Sequence, residues 1–350
     1  MKIGIVTLTR NPNYGNILQN LALQLFLTKL GYEPETIINY QGSSLFIKKF
    51  SFKNVIRIII NRNNAKLLEK RRRVFLDCCY KHIKYSKYEY YNNSISPEVI
   101  NCYDYFIAGS DQLWNPYFGA ATDFEFLKFA KPEQRISYAA SIGVNEIEDR
   151  HKEKFLNAFE GFKRISLREK SGAEIVKMYS NLECDVNVDP TILISVEEWR
   201  NIYCKPSKII DGKYIAVYML GDISDELNSS IQNFAELNNL HVYYLSDYDI
   251  LSPLEFIWII DHAEYVFTDS FHGTVFSILF GKKFLVLERN DKEKNQMTRF
   301  DNLFSLFNIE QKITSTVVEN QIVYPETNKI KLVQNKEIER SIKYFKQLIK

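Results

Sequence analysis

The chain of 350 residues predicts an α/β fold in two halves, each a doubly wound parallel sheet. Short apolar runs alternate with helical-period segments along nearly the whole length. The opening run, residues 3–8, is continuously apolar, as in a parallel strand buried on both faces. The alternation pauses across residues 190–212, around Pro206 and Gly212, then resumes. A length about twice that of one domain fits two units with separate cores.

The first unit is expected over 1–195. After strand 3–8 comes a polar loop, then an amphipathic helix at 17–30 carrying Leu18, Leu21, Leu25 and Phe26 on one face. Gly31 stops the helix, and a second strand follows at 35–40. Further strands are expected at 103–108, 135–143, 164–167 and 185–190, with helices at 151–162 and 169–179. The second unit, 205–330, repeats the pattern. Its strands are 214–220, 241–245, 265–267 and 284–287; its helices are 223–238, 253–261 and 274–280. The remaining 331–350 reads as a basic amphipathic helix that packs back on either unit.

A net charge of +2 argues against a nucleic-acid protein, which normally carries a strong basic excess. Residues 48–88 depart from that balance, with 13 basic and 2 acidic side chains. Two readings of this segment stand: a solvated helical face, or a patch meeting anionic lipid headgroups. The five cysteines lack CxxC spacing and read as reduced thiols, and no His or Cys pair has the spacing of a metal site. Without an apolar signal segment or an 18-residue apolar run, the expected location is the cytoplasm.

Chemistry concentrates where strands hand over to helices. There the loops at a sheet's carboxyl edge meet helix N-termini whose amides attract anions. Thr268-Asp269-Ser270-Phe271-His272-Gly273-Thr274 lies at such a handover. His272 can donate a proton to an anion or a leaving group near neutral pH. Asn13, Tyr14, Gly15 and Asn16 occupy the first such loop, either lining a cleft or capping the helix. Ser110, Asp111 and Gln112, followed by Trp114, resemble a sugar-binding wall, though Ser and Asp also cap turns. Arg168 ends another strand and can fork onto a carboxylate or phosphate, or pair with Glu169. Asn295 and Arg299 follow a charged loop, where Arg299 supplies a second cation for an anionic substrate or decorates a helix start.

Six motifs in one order carry a resemblance. They are Asn13-Tyr14-Gly15-Asn16-Ile17-Leu18-Gln19, Gly109-Ser110-Asp111-Gln112-Leu113-Trp114-Asn115-Pro116, Ile136-Ser137-Tyr138-Ala139-Ala140-Ser141-Ile142-Gly143, Ser166-Leu167-Arg168-Glu169, Asp189-Pro190-Thr191 and Asp269-Ser270-Phe271-His272-Gly273. Together they resemble the polysaccharide pyruvyl transferase family over about residues 1–305. The resemblance implies two Rossmann-like domains facing across a cleft, as in GT-B glycosyltransferases, with the acceptor on the first and the donor on the second. It implies transfer of a pyruvyl group from phosphoenolpyruvate, the donor substrate, onto two sugar hydroxyls, with no cofactor. The implied acceptor is a bacterial surface glycan or its lipid-linked precursor at the inner membrane face. In that setting the basic segment would dock beside anionic lipid. His272 would hold the phosphate or assist its departure, with Arg168, Gly273 and Thr274 beside it; Asp111 as acceptor of a hydroxyl proton is an added inference. Better-known members carry arginine where this chain has Ser270, so Arg299 or a lysine such as Lys282 would replace that charge. Two alternatives remain: a GT-B glycosyltransferase using a nucleotide sugar, and a non-catalytic glycan-binding member.

Overall fold

A computed structural model describes residues 1–9, 12–40, 45, 62–118, 121–180, 182–208, 211–245, 250–290 and 298–348. The first half runs β1 (Lys2–Val6), α1 (Tyr14–Lys29), β2 (Glu33–Asn39), α2 (Arg62–His82), β3 (Tyr85–Tyr90), β4 (Tyr105–Ala108) and β5 (Arg135–Ser137). It continues with α3 (Asp149–Leu156), β6 (Ile165–Leu167), α4 (Lys170–Ser180) and β7 (Cys184–Val186). The second half comprises α5 (Val196–Ile202), β8 (Tyr214–Tyr218), α6 (Asp225–Leu237), β9 (His241–Tyr244), α7 (Pro253–His262) and β10 (Tyr265–Thr268). It ends with α8 (Phe271–Leu279), β11 (Lys283–Val286), α9 (Thr298–Phe307) and α10 (Thr327–Leu348).

Every strand pairing between these elements is parallel. The first sheet has the order β3-β2-β1-β4-β5, and parallel bridges from Ile136 to Arg164 and from Ala140 to Leu167 carry it on to the β6-β7 pair. The second has the order β11-β10-β8-β9. Both are α/β layers of the Rossmann kind, as the alternation predicts.

Each half has an apolar cluster of its own, around Phe106 and Trp114 in the first and Ile215 and Phe267 in the second, and a third cluster joins them. This shared cluster runs from Ile3 and Leu18 of the first sheet and α1 through Tyr218, Phe256 and Phe276 of the second half to Phe345 of α10. The reason lies in α1, which is buried nearly all round instead of on one face. Its polar residues face inward with partners: Gln24 donates to Thr36 Oγ1 at 2.8 Å and accepts from the Lys84 amide at 2.9 Å. Buried amides satisfied in this way let one helix serve two layers. At its start, Tyr14 stacks on Phe256 of α7, with centroids 4.3 Å apart and planes 7° from parallel, and meets Tyr218 edge-on.

The last helix begins at Thr327, earlier than expected, and its far end lies on the first half. Tyr344 donates to the Ser137 carbonyl at 2.6 Å, the Tyr138 and Ser341 hydroxyls meet at 2.8 Å, and Phe345 stacks on Tyr138. It also touches α8 and α9. The strand expected at 135–143 stops at Ser137, because Ala139 takes a left-handed backbone angle of +49°.

Because Phe256 is fully buried in the shared cluster, Phe256→Ala should cost about 3–5 kcal/mol. In urea unfolding it should lower the midpoint of a single transition. Two separated transitions in the wild type would show that the halves unfold independently.

Candidate functional site at the junction of the two halves

Four strand ends converge where the halves meet. Ser110 and Asp111 follow β4, Arg168 follows β6, Asp189 lies just past β7, and His272 opens the helix after β10. The Asp189 carboxylate sits at the centre, fully buried. Its Oδ2 accepts from Arg168 Nη1 at 2.7 Å and Ser110 Oγ at 2.9 Å. Its Oδ1 accepts from the Thr191 amide at 3.1 Å and the Thr191 hydroxyl at 2.7 Å. From the second half, His272 Nε2 stands 3.5 Å from the same Oδ2, at the outer edge of hydrogen bonding. Burial alone would raise the Asp189 pKa, but His272 and then Arg168 outweigh it and hold the carboxyl well below the usual range.

Arg168 pairs across strands instead of with its neighbour Glu169. Besides Asp189 it reaches Asp111 Oδ1 at 3.5 Å, while Glu169 Oε1 accepts the Ile142 and Gly143 amides. Burial works against the guanidinium, yet Asp111, Asp189 and Glu169 together raise its pKa. Its Cζ lies 4.4 Å from the Phe271 ring centroid, and the Arg299 Cζ lies 5.9 Å from the same ring. Arg299 is pushed down to about 9, first by burial and then by the charge of Arg168, with Arg289 adding to it. A buried guanidinium held beside a second cation marks a place that favours an anion.

Beside these groups opens a pocket of about 440 Å³, with Arg168, Asp189, Phe271 and Arg299 lining its inner part. β7 and helices α9 and α10 supply its walls, including Asn302, Glu337 and Arg340. His272 does not line it; Asp189 stands between the imidazole and the pocket. The fully buried Arg168 has its Nε donor without a partner.

The other expected site residues take varied places. Asp111 lies at the junction with a left-handed φ of +67°, a strained angle for a non-glycine residue, and its Oδ1 also accepts the Gln112 amide. Gln112 Oε1 accepts from Asn115, and Trp114 is wholly buried among Phe126, Phe159 and Phe162, so the indole is core and not an exposed sugar platform. Asn13 caps α1 by accepting the Asn16 amide, and Tyr14 is the packing anchor described above. Gly15 alone of that loop reaches the site, since a Cβ there would lie 2.0 Å from His272 Nδ1.

Ser270 turns out to be the N-cap of α8, its Oγ accepting the Gly273 amide at 3.3 Å. The helix therefore starts at Phe271, three residues before the expected 274, and His272 lies in its first turn. Gly273 permits close packing on β10, because a Cβ would meet Thr268 Oγ1 at 2.7 Å, and the Thr274 hydroxyl donates to the Ser270 carbonyl. Asn295 lies outside the described residues.

Lys282 is at the wrong end of α8 to supply a charge beside His272. It sits past the helix C-terminus, where Asp261, Glu264 and Arg200 act on it. Arg289, which sequence reasoning passed over, is the cation near Ser270: its Nε is 3.3 Å from Asp269 Oδ2, and its Nη2 donates to the Asp269 carbonyl at 3.2 Å. Its place just past β11, beside β10 in the parallel sheet, was the available signal. Asp189 was missed as a hub because its partners are remote in sequence.

A family model described as polysaccharide pyruvyl transferase matches residues 13–291, so the chain belongs to that family. No curated protein matches it by sequence. Among solved structures, the Methanocaldococcus jannaschii UDP-GlcNAc 2-epimerase in complex with UDP-GlcNAc and UDP is similar at 12% identity, covering 99% of this chain and 100% of that one, with a TM-score of 0.48. The S. aureus MnaA–UDP co-structure is similar at 12% identity, with 99% and 97% covered and a TM-score of 0.47. The Neisseria meningitidis UDP-GlcNAc 2-epimerase bound to UDP-GlcNAc shows 11% identity, 100% and 94% coverage and a TM-score of 0.43.

Because the folded Asp189 pKa is depressed, its stabilisation is complete above the unfolded value of about 4 and is lost as pH falls through the lower folded value. Asp189→Asn should cost about 3–5 kcal/mol near neutral pH, where it strips a buried cation of its partner. Urea unfolding across pH should show that gap shrinking below about pH 4. A gap that does not change with pH would mean Asp189 is not ionised in the fold.

Proposed function

We propose that this member of the polysaccharide pyruvyl transferase family moves a pyruvyl group from phosphoenolpyruvate onto two hydroxyls of a sugar, forming a ketal and releasing phosphate. The observation that carries the reading is the buried cation group at the junction: Arg168 and Arg299 flank Phe271 beside the pocket, with His272 close by. Phosphoenolpyruvate brings a carboxylate and a phosphate, and forked guanidinium contacts suit both. Arg289 supports the same field from the β11 end.

In the reaction, the methylene carbon gains a proton and becomes a methyl group, and its neighbour becomes electrophilic. One hydroxyl oxygen bonds to that carbon. The second displaces phosphate from it and closes the ketal. Of the two hydroxyl protons, one is balanced at the methyl group and the other on the departing phosphate. In this reading Asp111 accepts one hydroxyl proton and His272 serves the phosphate. The reaction so written consumes only phosphoenolpyruvate and the diol, with no further cofactor.

The acceptor in this reading is a bacterial surface glycan or its lipid-linked precursor, met at the inner face of the cytoplasmic membrane. Among the described residues, no helix is long and apolar enough to cross a membrane, so contact would be peripheral. Lys66, Lys70, Arg73, Lys81 and Lys84 form an exposed stripe along and just past α2. Arg71 is not part of it. It is buried, its guanidinium 5.4 Å from both the Tyr14 and the Phe75 ring centroids.

Wild-type protein with phosphoenolpyruvate and a candidate diol acceptor should release phosphate, and His272→Ala should reduce the rate at least about a hundredfold. Arg299→Met should weaken phosphoenolpyruvate binding by about tenfold or more in calorimetry. Thermal stabilisation by nucleotide sugars and none by phosphoenolpyruvate would overturn the donor assignment.

Charge reversal at Lys66, Lys70, Arg73 and Lys81 should abolish salt-sensitive cosedimentation with phosphatidylglycerol vesicles. Unchanged binding, or none by the wild type, would leave the stripe as solvated surface.

A further inference from the structure

We infer that Asp189 is a positioning residue that fixes the tautomer of His272, keeping the proton on Nε2 and leaving Nδ1, packed against Gly15, without one. It rests on the reading of His272 as the reacting imidazole, although the tautomer exists whatever the reaction.

His272 is buried, and its Nε2 has no hydrogen-bond partner among the described residues. The polar atom it faces is Asp189 Oδ2 at 3.5 Å. An ionised carboxylate has no proton to give, and a bare nitrogen lone pair pointed at it would be repelled. The ring nitrogen on that side therefore carries the hydrogen. Asp189 cannot turn away, since Arg168, Ser110 and two donors of Thr191 hold both its oxygens. The imidazole is thus oriented by a partner fixed in the first half, although it belongs to the second. Nδ1 lies on the other side of the ring, and the missing side chain of Gly15 leaves it room.

In the neutral ring Nδ1 is then an acceptor. The logic is that of an aspartate holding a catalytic histidine in one tautomer.

The test uses full-length protein labelled with ¹⁵N and ¹³C in its five histidines, followed across a pH series. Loss of one signal set in His272→Gln identifies the residue. Long-range proton–nitrogen correlations should show a protonated Nε2 and a bare Nδ1 in the wild type, and a shift toward the other tautomer in Asp189→Asn. A wild-type ring protonated on Nδ1 overturns the inference, as does an unchanged pattern in folded Asp189→Asn. Should that variant not fold, the wild-type pattern decides, and Ser110→Ala, which loosens Asp189, supplies the comparison. Protein that shows the expected tautomer but releases no phosphate from phosphoenolpyruvate sinks the proposed function and leaves this inference standing.

Discussion

A single buried carboxylate organises the site. Asp189 is buried, so it stays ionised because donors and cations surround it, and these come from both halves. Arg168 and Ser110 bring the carboxyl ends of β6 and β4 to it; His272 brings the first turn of α8. Any rearrangement that drew the halves apart would strip a partner from a charge in a low-dielectric interior. The same electrostatics explain why cations can cluster here. Arg168 is balanced by its carboxylates, whereas Arg299 feels the burial and its neighbours' charge, and so provides the anion-favouring side of the pocket.

Packing supports this arrangement. Tyr14 is pinned between Phe75 of α2 and Phe256 of α7, and the next residue, Gly15, closes on His272. Consecutive residues thus seal the interface and shape the site. The C-terminal helix acts on the other flank: it is fastened to the first half by Tyr344 and Ser341, and its Glu337 and Arg340 wall the pocket. The shared cluster then makes the junction a fixed feature of the fold, consistent with tight packing in protein interiors.

Local patterns were readable where local physics controls the outcome. The strand at 265–267 and the helix after it follow from apolar periodicity, and they place His272 at a strand–helix handover without any knowledge of tertiary contacts. The helix start was misjudged because Ser270 was weighed as a ligand and not as an N-cap. α1 was read as amphipathic because its buried amides look like a solvated face until Thr36 and Lys84 are seen to receive them. Trp114 was similarly ambiguous, since an indole in a polar motif packs or binds depending on what surrounds it. Basic residues 71–73 are alike in sequence, yet Arg71 is buried and Arg73 exposed, a difference set by the aromatic rings that α2 meets.

By itself, the sequence determined the α/β class, the order of most of the elements, the family through six ordered motifs, and the main strand–helix handovers. These depend on short-range periodicity and on residue types at turns. Tertiary structure alone decided that Asp189 joins Arg168 to His272, that Arg289 and not Lys282 lies near Ser270, and that a third apolar cluster joins the two halves. Those pairings link residues tens to more than a hundred positions apart, and a buried charge takes as its partner whichever group the fold brings within reach.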